Sequence, residues 1–170
     1  AMVLVAAIAA GVLINTAGQL QTQAEATGQE TQQQVSDRIQ VQSVTGSVGD
    51  TDPINVTEIN ITVTKSPGAG NIQLENVTYE FVTDDAVNTD VIDPSSDINY
   101  ITNETSDNVI TDRSDRYKLT FDTASQVGEE GVKLQGGDTV SVTLTTASGA
   151  STIKELRVPD SLVDRQAVKL

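Results

Sequence analysis

The chain has no cysteine, no histidine and no tryptophan among its 170 residues. Without cysteine there is no disulfide and no thiol chemistry. Zinc sites built from Cys and His are excluded, as is any nucleophile activated by a histidine base. Aromatic residues are scarce, with two Phe and three Tyr, so a core must be mostly Val, Ile and Leu. Of four prolines the first is Pro53. Positive charge is also in short supply: ten Lys and Arg stand against 24 Asp and Glu, for a net charge of −14. That balance repels nucleic acid and anionic membrane surfaces. Asp outnumbers Glu by fifteen to nine, and only five bases are Lys. At roughly 1 M salt the screening length falls to about 3 Å, so like charges on neighbouring surfaces barely interact. The surface suits very saline water.

The opening stretch, residues 1–14, carries neither a charge nor a polar side chain. A helix apolar on every face has no side to give to water and must be buried in lipid or protein. A spanning helix needs about 20 apolar residues. The run is shorter and begins without an initiator Met, so residues are expected to have preceded Ala1, and no cleavable leader is visible. Ala6 and Ala10 lie four apart, as do Ala7 and Gly11. Such pairs form flat tracks along which a second helix can approach closely. Leu13, Ala17, Leu20 and Ala24 then step by four, three and four, a helical stripe. Thr31, Val35 and Ile39 continue it past the weak patch at Thr27 and Gly28. Gly11, Gly18 and Gly28 each cost a lone helix about 1 kcal/mol relative to Ala. One helix is expected from the start to about residue 38. Asn15 either bonds to a neighbouring helix or marks the end of the apolar part.

The period then changes to two. Ile39 and Val41 alternate, a turn follows around residues 46–53, and Ile59, Ile61 and Val63 alternate in the opposite parity to Ile54 and Val56. One extra residue near Glu58 implies a bulge. Ser66 to Gly70 reads as a turn. Ile72 and Leu74, then Val77, Tyr79 and Phe81, repeat the shifted pattern. Tyr117, Leu119 and Phe121 form a strand, as do Val140, Val142 and Leu144, and residues 153–158. Short alternating strands with regular turns predict an antiparallel sandwich. Residues 84–115 hold eight of the fifteen Asp and read as long surface loops with one or two short strands. The fold class is therefore α+β, with a helix over 1–38 and a β-domain over 39–170.

Four Asn-X-Ser/Thr triplets begin at Asn55, Asn60, Asn76 and Asn103. Each accepts an N-linked glycan if the chain is exported. Between apolar neighbours of a strand, Asn55 and Asn60 are expected to face outward. Asp84, Asp85, Asp90, Asp93 and Asp97 offer oxygen ligands for Ca²⁺ or Mg²⁺. They lack EF-hand spacing, and a solvated acidic face is the preferred reading. Asp112 and Asp115 form a carboxylate pair with nothing else to mark a pocket, so no enzyme is expected.

The run Ala6-Ala7-Ile8-Ala9-Ala10-Gly11-Val12-Leu13-Ile14-Asn15-Thr16-Ala17-Gly18, continued by Leu20-Gln21 and Ala24 to Gly28, closely resembles the N-terminal signature of archaellins, the filament subunits of the archaeal flagellum. Residues 156–162 resemble the archaellin C-terminal end, and the acidic balance resembles haloarchaeal members. The resemblance implies a type IV pilin-like subunit, inserted in the membrane only before assembly. It implies an extracellular polymer, with or without paralogous subunits, built on Ala6, Ala7, Ala10, Gly11, Leu13, Ala17 and Leu20. It further implies an immunoglobulin-like outer domain, often N-glycosylated, and torque and export supplied by separate motor and assembly proteins. It carries over no metal site and no cofactor. An adhesive archaeal pilin gripping a surface through its β-domain is the alternative.

Overall fold

A computed structural model of the chain describes residues 1–50, 53–102, 107–128 and 133–170. Helix α1 runs over Met2–Ser36. Among the described residues eleven strands follow: β1 (Ile39–Val48), β2 (Val56–Lys65), β3 (Ile72–Gln73), β4 (Thr78–Val82), β5 (Val87–Val91), β6 (Ile98–Thr102), β7 (Val109–Ile110), β8 (Arg116–Asp122), β9 (Thr139–Thr145), β10 (Ser151–Arg157) and β11 (Ala167–Lys169).

The helix persists through Gly11, Gly18 and Gly28, because no proline interrupts it and Ala, Leu and Gln favour it. At 1.5 Å per residue it is about 52 Å long. Thr16, Thr22, Thr27 and Thr31 each donate a hydroxyl hydrogen bond to the carbonyl four residues earlier. Their polar groups are thereby satisfied within the helix and can enter an apolar setting at little cost.

Asp37, just past the helix end, ties the helix to two loops of the β-domain. The Asp37 carboxylate accepts the Gly70 N–H at 2.7 Å, and the Asp37 carbonyl accepts the Thr146 hydroxyl at 3.0 Å. Gly149, in the β9–β10 turn at φ +85°, lies so close that a Cβ there would sit 3.1 Å from the Gln34 amide. A side chain at this position would both strain the turn and push on the helix end.

The strands form two larger sheets, ordered β11-β1-β2-β8-β6 and β10-β9-β4-β5, with a small β3-β7 pair. Among the described residues every pairing is antiparallel. Both sheets turn alternate residues onto one core, with Ile59, Ile61, Val63, Leu119, Phe121, Val140 and Val142 fully buried. Tyr79, Phe81 and Phe121 meet at its centre with ring centroids 4.8–5.5 Å apart, in tilted and edge-on contacts that rings prefer.

The parity switch in β2 is a bulge. Ser47 pairs with Glu58 while Val48 pairs with Val56, leaving Thr57 as the extra residue. The buried Thr123 hydroxyl lies 2.7 Å and 3.0 Å from the Val56 and Thr57 carbonyls that the bulge displaces from the ladder. The shift before β4 has a different cause, a single 3₁₀ turn at Leu74–Asn76. Residues 84–115 contain more strand than expected. β5 and β6 complete one edge of each large sheet. Their alternation is obscured because they lie at the rim. In β5, Asn88 and Asp90 sit opposite Phe81 and Tyr79 on the inward side.

Candidate assembly surface and surface sites

No residue of α1 is buried. Its large apolar side chains stand open, including Leu4 (69% exposed), Ile8 (64%), Leu13 (70%) and Leu20 (62%). Its most apolar 18-residue window has a mean hydropathy of 1.9, enough by length and composition to cross a membrane. Burying one Val, Leu or Ile is worth about 1.5–3 kcal/mol. Nine such residues or Met lie exposed between Met2 and Leu20, so covering them is worth on the order of 20 kcal/mol. This term exceeds a typical domain's whole stability, so the helix belongs in lipid or against other helices.

The helix glycines have no packing role within the subunit. A Cβ at Gly11, Gly18 or Gly28 would meet nothing within 4 Å. Nothing inside the subunit therefore requires glycine there. Ala6, Ala7, Ala10, Gly11, Ala17 and the larger Leu13 and Leu20 are all exposed. In lipid, where burial no longer drives association, close backbone approach over small residues does.

The sugar-acceptor triplets fall in different settings. Asn76 is exposed on the 3₁₀ turn, its amide donating to the Gln73 side-chain oxygen at 2.7 Å. It lines an open polar crevice of about 630 Å³ beneath the helix end, with Gln33, Asp37 and Thr146. Asn60 does face away from the core, between buried Ile59 and Ile61. Its amide donates to the Ser47 hydroxyl at 3.2 Å and its oxygen accepts from Thr120 at 3.0 Å. Asn55 does not face outward. It is only 9% exposed, because it precedes β2 and its neighbour Ile54 is the one turned to solvent. Asn103 lies outside the described residues.

The aspartates separate as well. Among the described residues no three Asp or Glu gather as a cation site would require. Asp84, Asp85 and Asp90 are exposed. Asp97 is 2% exposed and structural. Its carboxylate accepts the Asp93 N–H, the Ser96 hydroxyl and the Gln126 amide at 3.0, 2.8 and 3.1 Å. Asp93 is exposed, and hydrogen bonds from the Ser95 hydroxyl and N–H hold its carboxyl below the usual range. Asp115 is 1% exposed, and one carboxylate oxygen accepts the Thr111 N–H and hydroxyl and the Asp112 N–H. That oxygen is engaged in shaping a turn rather than facing a substrate.

A family profile described as archaeal-type flagellin matches residues 1–156. Flagellin B1 of Natrialba magadii is 40% identical over all of this chain and 89% of its own length. Flagellin B2 of Halobacterium salinarum is 43% identical over all of this chain and 88% of its own length. Among solved structures, the archaeal flagellum of Methanospirillum hungatei superposes on 99% of this chain and 93% of its own with a TM-score of 0.74 at 18% identity. The crystal structure of archaeal flagellin FlaB1 from Methanocaldococcus jannaschii covers 78% of this chain and 95% of its own, with a TM-score of 0.64 at 16% identity. The superpositions establish a shared fold, and the full-length similarity to curated flagellins establishes kinship. The chain belongs to the archaeal-type flagellin family.

Proposed function

We propose that the chain is the repeating subunit of an extracellular archaeal flagellum filament, the propeller of a swimming cell. The observation that carries this is a 35-residue helix with no buried residue, joined to a separately cored pair of sheets. Residues 1–38 form the filament core by helix-to-helix packing, and residues 39–170 form the outer layer. A helix that packs against a different surface of the next copy makes a heterologous contact, which propagates into an open helical polymer where the rotation between copies does not close a ring. The subunit performs no chemistry. Paralogous flagellins can share the filament, and separate motor and assembly proteins provide export and torque. Before assembly the helix resides in the membrane. An adhesive pilin would need the same helix, but the full-length likeness to flagellins favours the propeller.

Expression in an archaeon stripped of its own flagellins tests the proposal. The chain, expressed behind a leader that the host itself processes, is expected to give long filaments and restore swimming. Gly11→Leu or Ala7→Leu is expected to leave few or no filaments in electron micrographs, because a bulky side chain separates helices that must touch. Normal filaments from both variants would refute close packing at this band. Filaments that promote attachment without swimming would favour the pilin reading.

Of the described sugar acceptors, Asn76 and Asn60 are the proposed glycan carriers, with Asn76 the more open. The intact mass of the native subunit should exceed that of the bare polypeptide. Asn76→Gln is expected to lower it by one glycan, and a native mass equal to the bare chain would exclude modification.

A further inference from the structure

Helix α1 holds one polar group that the subunit leaves unmatched in its most apolar part. Residues 1–18 contain two polar side chains, Asn15 and Thr16. The Thr16 hydroxyl donates to the Val12 carbonyl at 2.7 Å and is satisfied within the helix. The Asn15 amide is exposed and has no hydrogen-bond partner among the described residues. It does not mark the end of the apolar part, because Ala17, Gly18 and Leu20 follow it. The first charge, Glu25, lies ten residues further on, about 15 Å along the helix.

The surface around Asn15 admits close approach. Gly11 lies four residues before it and Gly18 three after, so both share its side of the helix. A Cβ at either glycine would meet nothing within 4 Å. An open hollow on α1 is lined by Ile14, Asn15, Gly18, Gln19, Thr22 and Ala26. A second copy's helix settling over the glycines takes water away from the amide. A buried amide without a partner is unfavourable, so the contact must supply one. The uncharged polar side chains of α1 are nearly all Thr and Gln. Thr16, Thr22, Thr27 and Thr31 spend their hydroxyl hydrogens within their own helix, but each oxygen keeps a lone pair with which to accept.

Small residues cannot choose the stagger between copies by themselves. Ala6 and Ala10, like Ala7 and Gly11, repeat every four residues, about 6 Å. A neighbour seated over Ala6 finds nearly the same surface over Ala10. Slipping by a turn therefore changes the apolar contact little, but it moves Asn15 off its partner. We propose that Asn15 sets the register of the filament core, its amide donating to a Thr or Gln side-chain oxygen on α1 of a neighbouring copy. A single Asn in an apolar seam between helices fixes register in this way. The proposal rests on polymerisation through α1.

The test uses the full chain, expressed behind a leader that the host processes, in an archaeon stripped of its own flagellins. Asn15→Ala removes the amide and is small enough to leave the approach of helices open. Filaments are expected to form without a single helical repeat, so that sharp layer lines vanish from the transforms of their electron micrographs. Asn15→Ala filaments that keep the layer lines of the unaltered chain overturn the proposal. Asn15→Asp keeps the shape and adds a charge. In a dry seam it should lower the number of filaments per cell by about tenfold. On a face open to water one more acid would be tolerated, since the subunit already carries −14. Filament numbers unchanged by Asn15→Asp therefore also overturn the proposal. Immunoblots of the membrane fraction separate failed assembly from failed insertion, and circular dichroism in detergent checks the helix. Where Asn15→Asp does not insert, the layer lines of Asn15→Ala decide alone. Failure of the unaltered chain to form any filament would instead overturn the polymer reading itself.

Discussion

Residues 37–170, freed of the helix, are expected to be a soluble monomer at concentrations where the full chain polymerises or precipitates. No side chain of α1 contributes to the apolar core between the sheets. Removing the helix therefore costs the β-domain no buried apolar contact. The cut is placed before Asp37 because that residue is the pin. Its carboxylate holds Gly70 and its carbonyl holds Thr146, and keeping it preserves two hydrogen bonds worth on the order of 1 kcal/mol each. The full chain, by contrast, exposes a surface worth on the order of 20 kcal/mol of burial. Light scattering distinguishes the outcomes. Filaments or large oligomers from the fragment would show that contacts between outer domains, not the helix, drive polymerisation.

Much of this architecture was legible in the residues. The apolar run of residues 1–14 announces a helix that must be covered, and the α1 boundary falls at Ser36, close to the change of period at Ile39. The parity reversal between Val56 and Ile59 marks a bulge, which is centred on Thr57. These features read well because side-chain alternation is imposed by a core on one side. The rest was hidden for physical reasons. β5 and β6 lie at the rims of their sheets, where inward positions are not fully enclosed and polar residues such as Asn88 and Asp90 are tolerated. Asp97 and Asp115 resemble surface acids in composition, yet each is buried and accepts several hydrogen bonds from its own turn. The signal in both cases is local, a carboxylate placed to receive N–H groups three or four residues away, and it does not differ in sequence from an exposed aspartate.

Salt should act on this filament in the direction opposite to its effect on a simple ion pair. Each subunit carries −14, and polymerisation crowds the outer domains around one apolar core. The helix contacts are apolar and need no salt to form, although salting-out ions strengthen them. An exposed ion pair between subunits would weaken as salt rises, whereas the repulsion here involves the whole acidic surface. At about 0.01 M the screening length is roughly 30 Å, longer than the gap between touching domains, and the repulsion is felt in full. At molar salt the length is about 3 Å and the repulsion nearly vanishes. Filaments are therefore expected to hold in concentrated NaCl or KCl and to loosen or dissociate on dialysis to low salt. Asp84, Asp85, Asp90 and Asp93 are exposed, so changing all four to Asn should move the transition to lower salt. Asp97 is left out, because its carboxylate holds the turn between β5 and β6. Sedimentation across a NaCl series, with and without a chelator, gives the midpoint for each form. If millimolar Ca²⁺ or Mg²⁺ restores the low-salt filament far better than equal ionic strength of NaCl, and the Asn variant loses that rescue, the exposed aspartates act as cation ligands between subunits rather than as repelling charges. Filaments that remain intact at low salt with chelator would overturn both accounts, leaving the helix contacts strong enough to hold the polymer against the full charge of its outer layer.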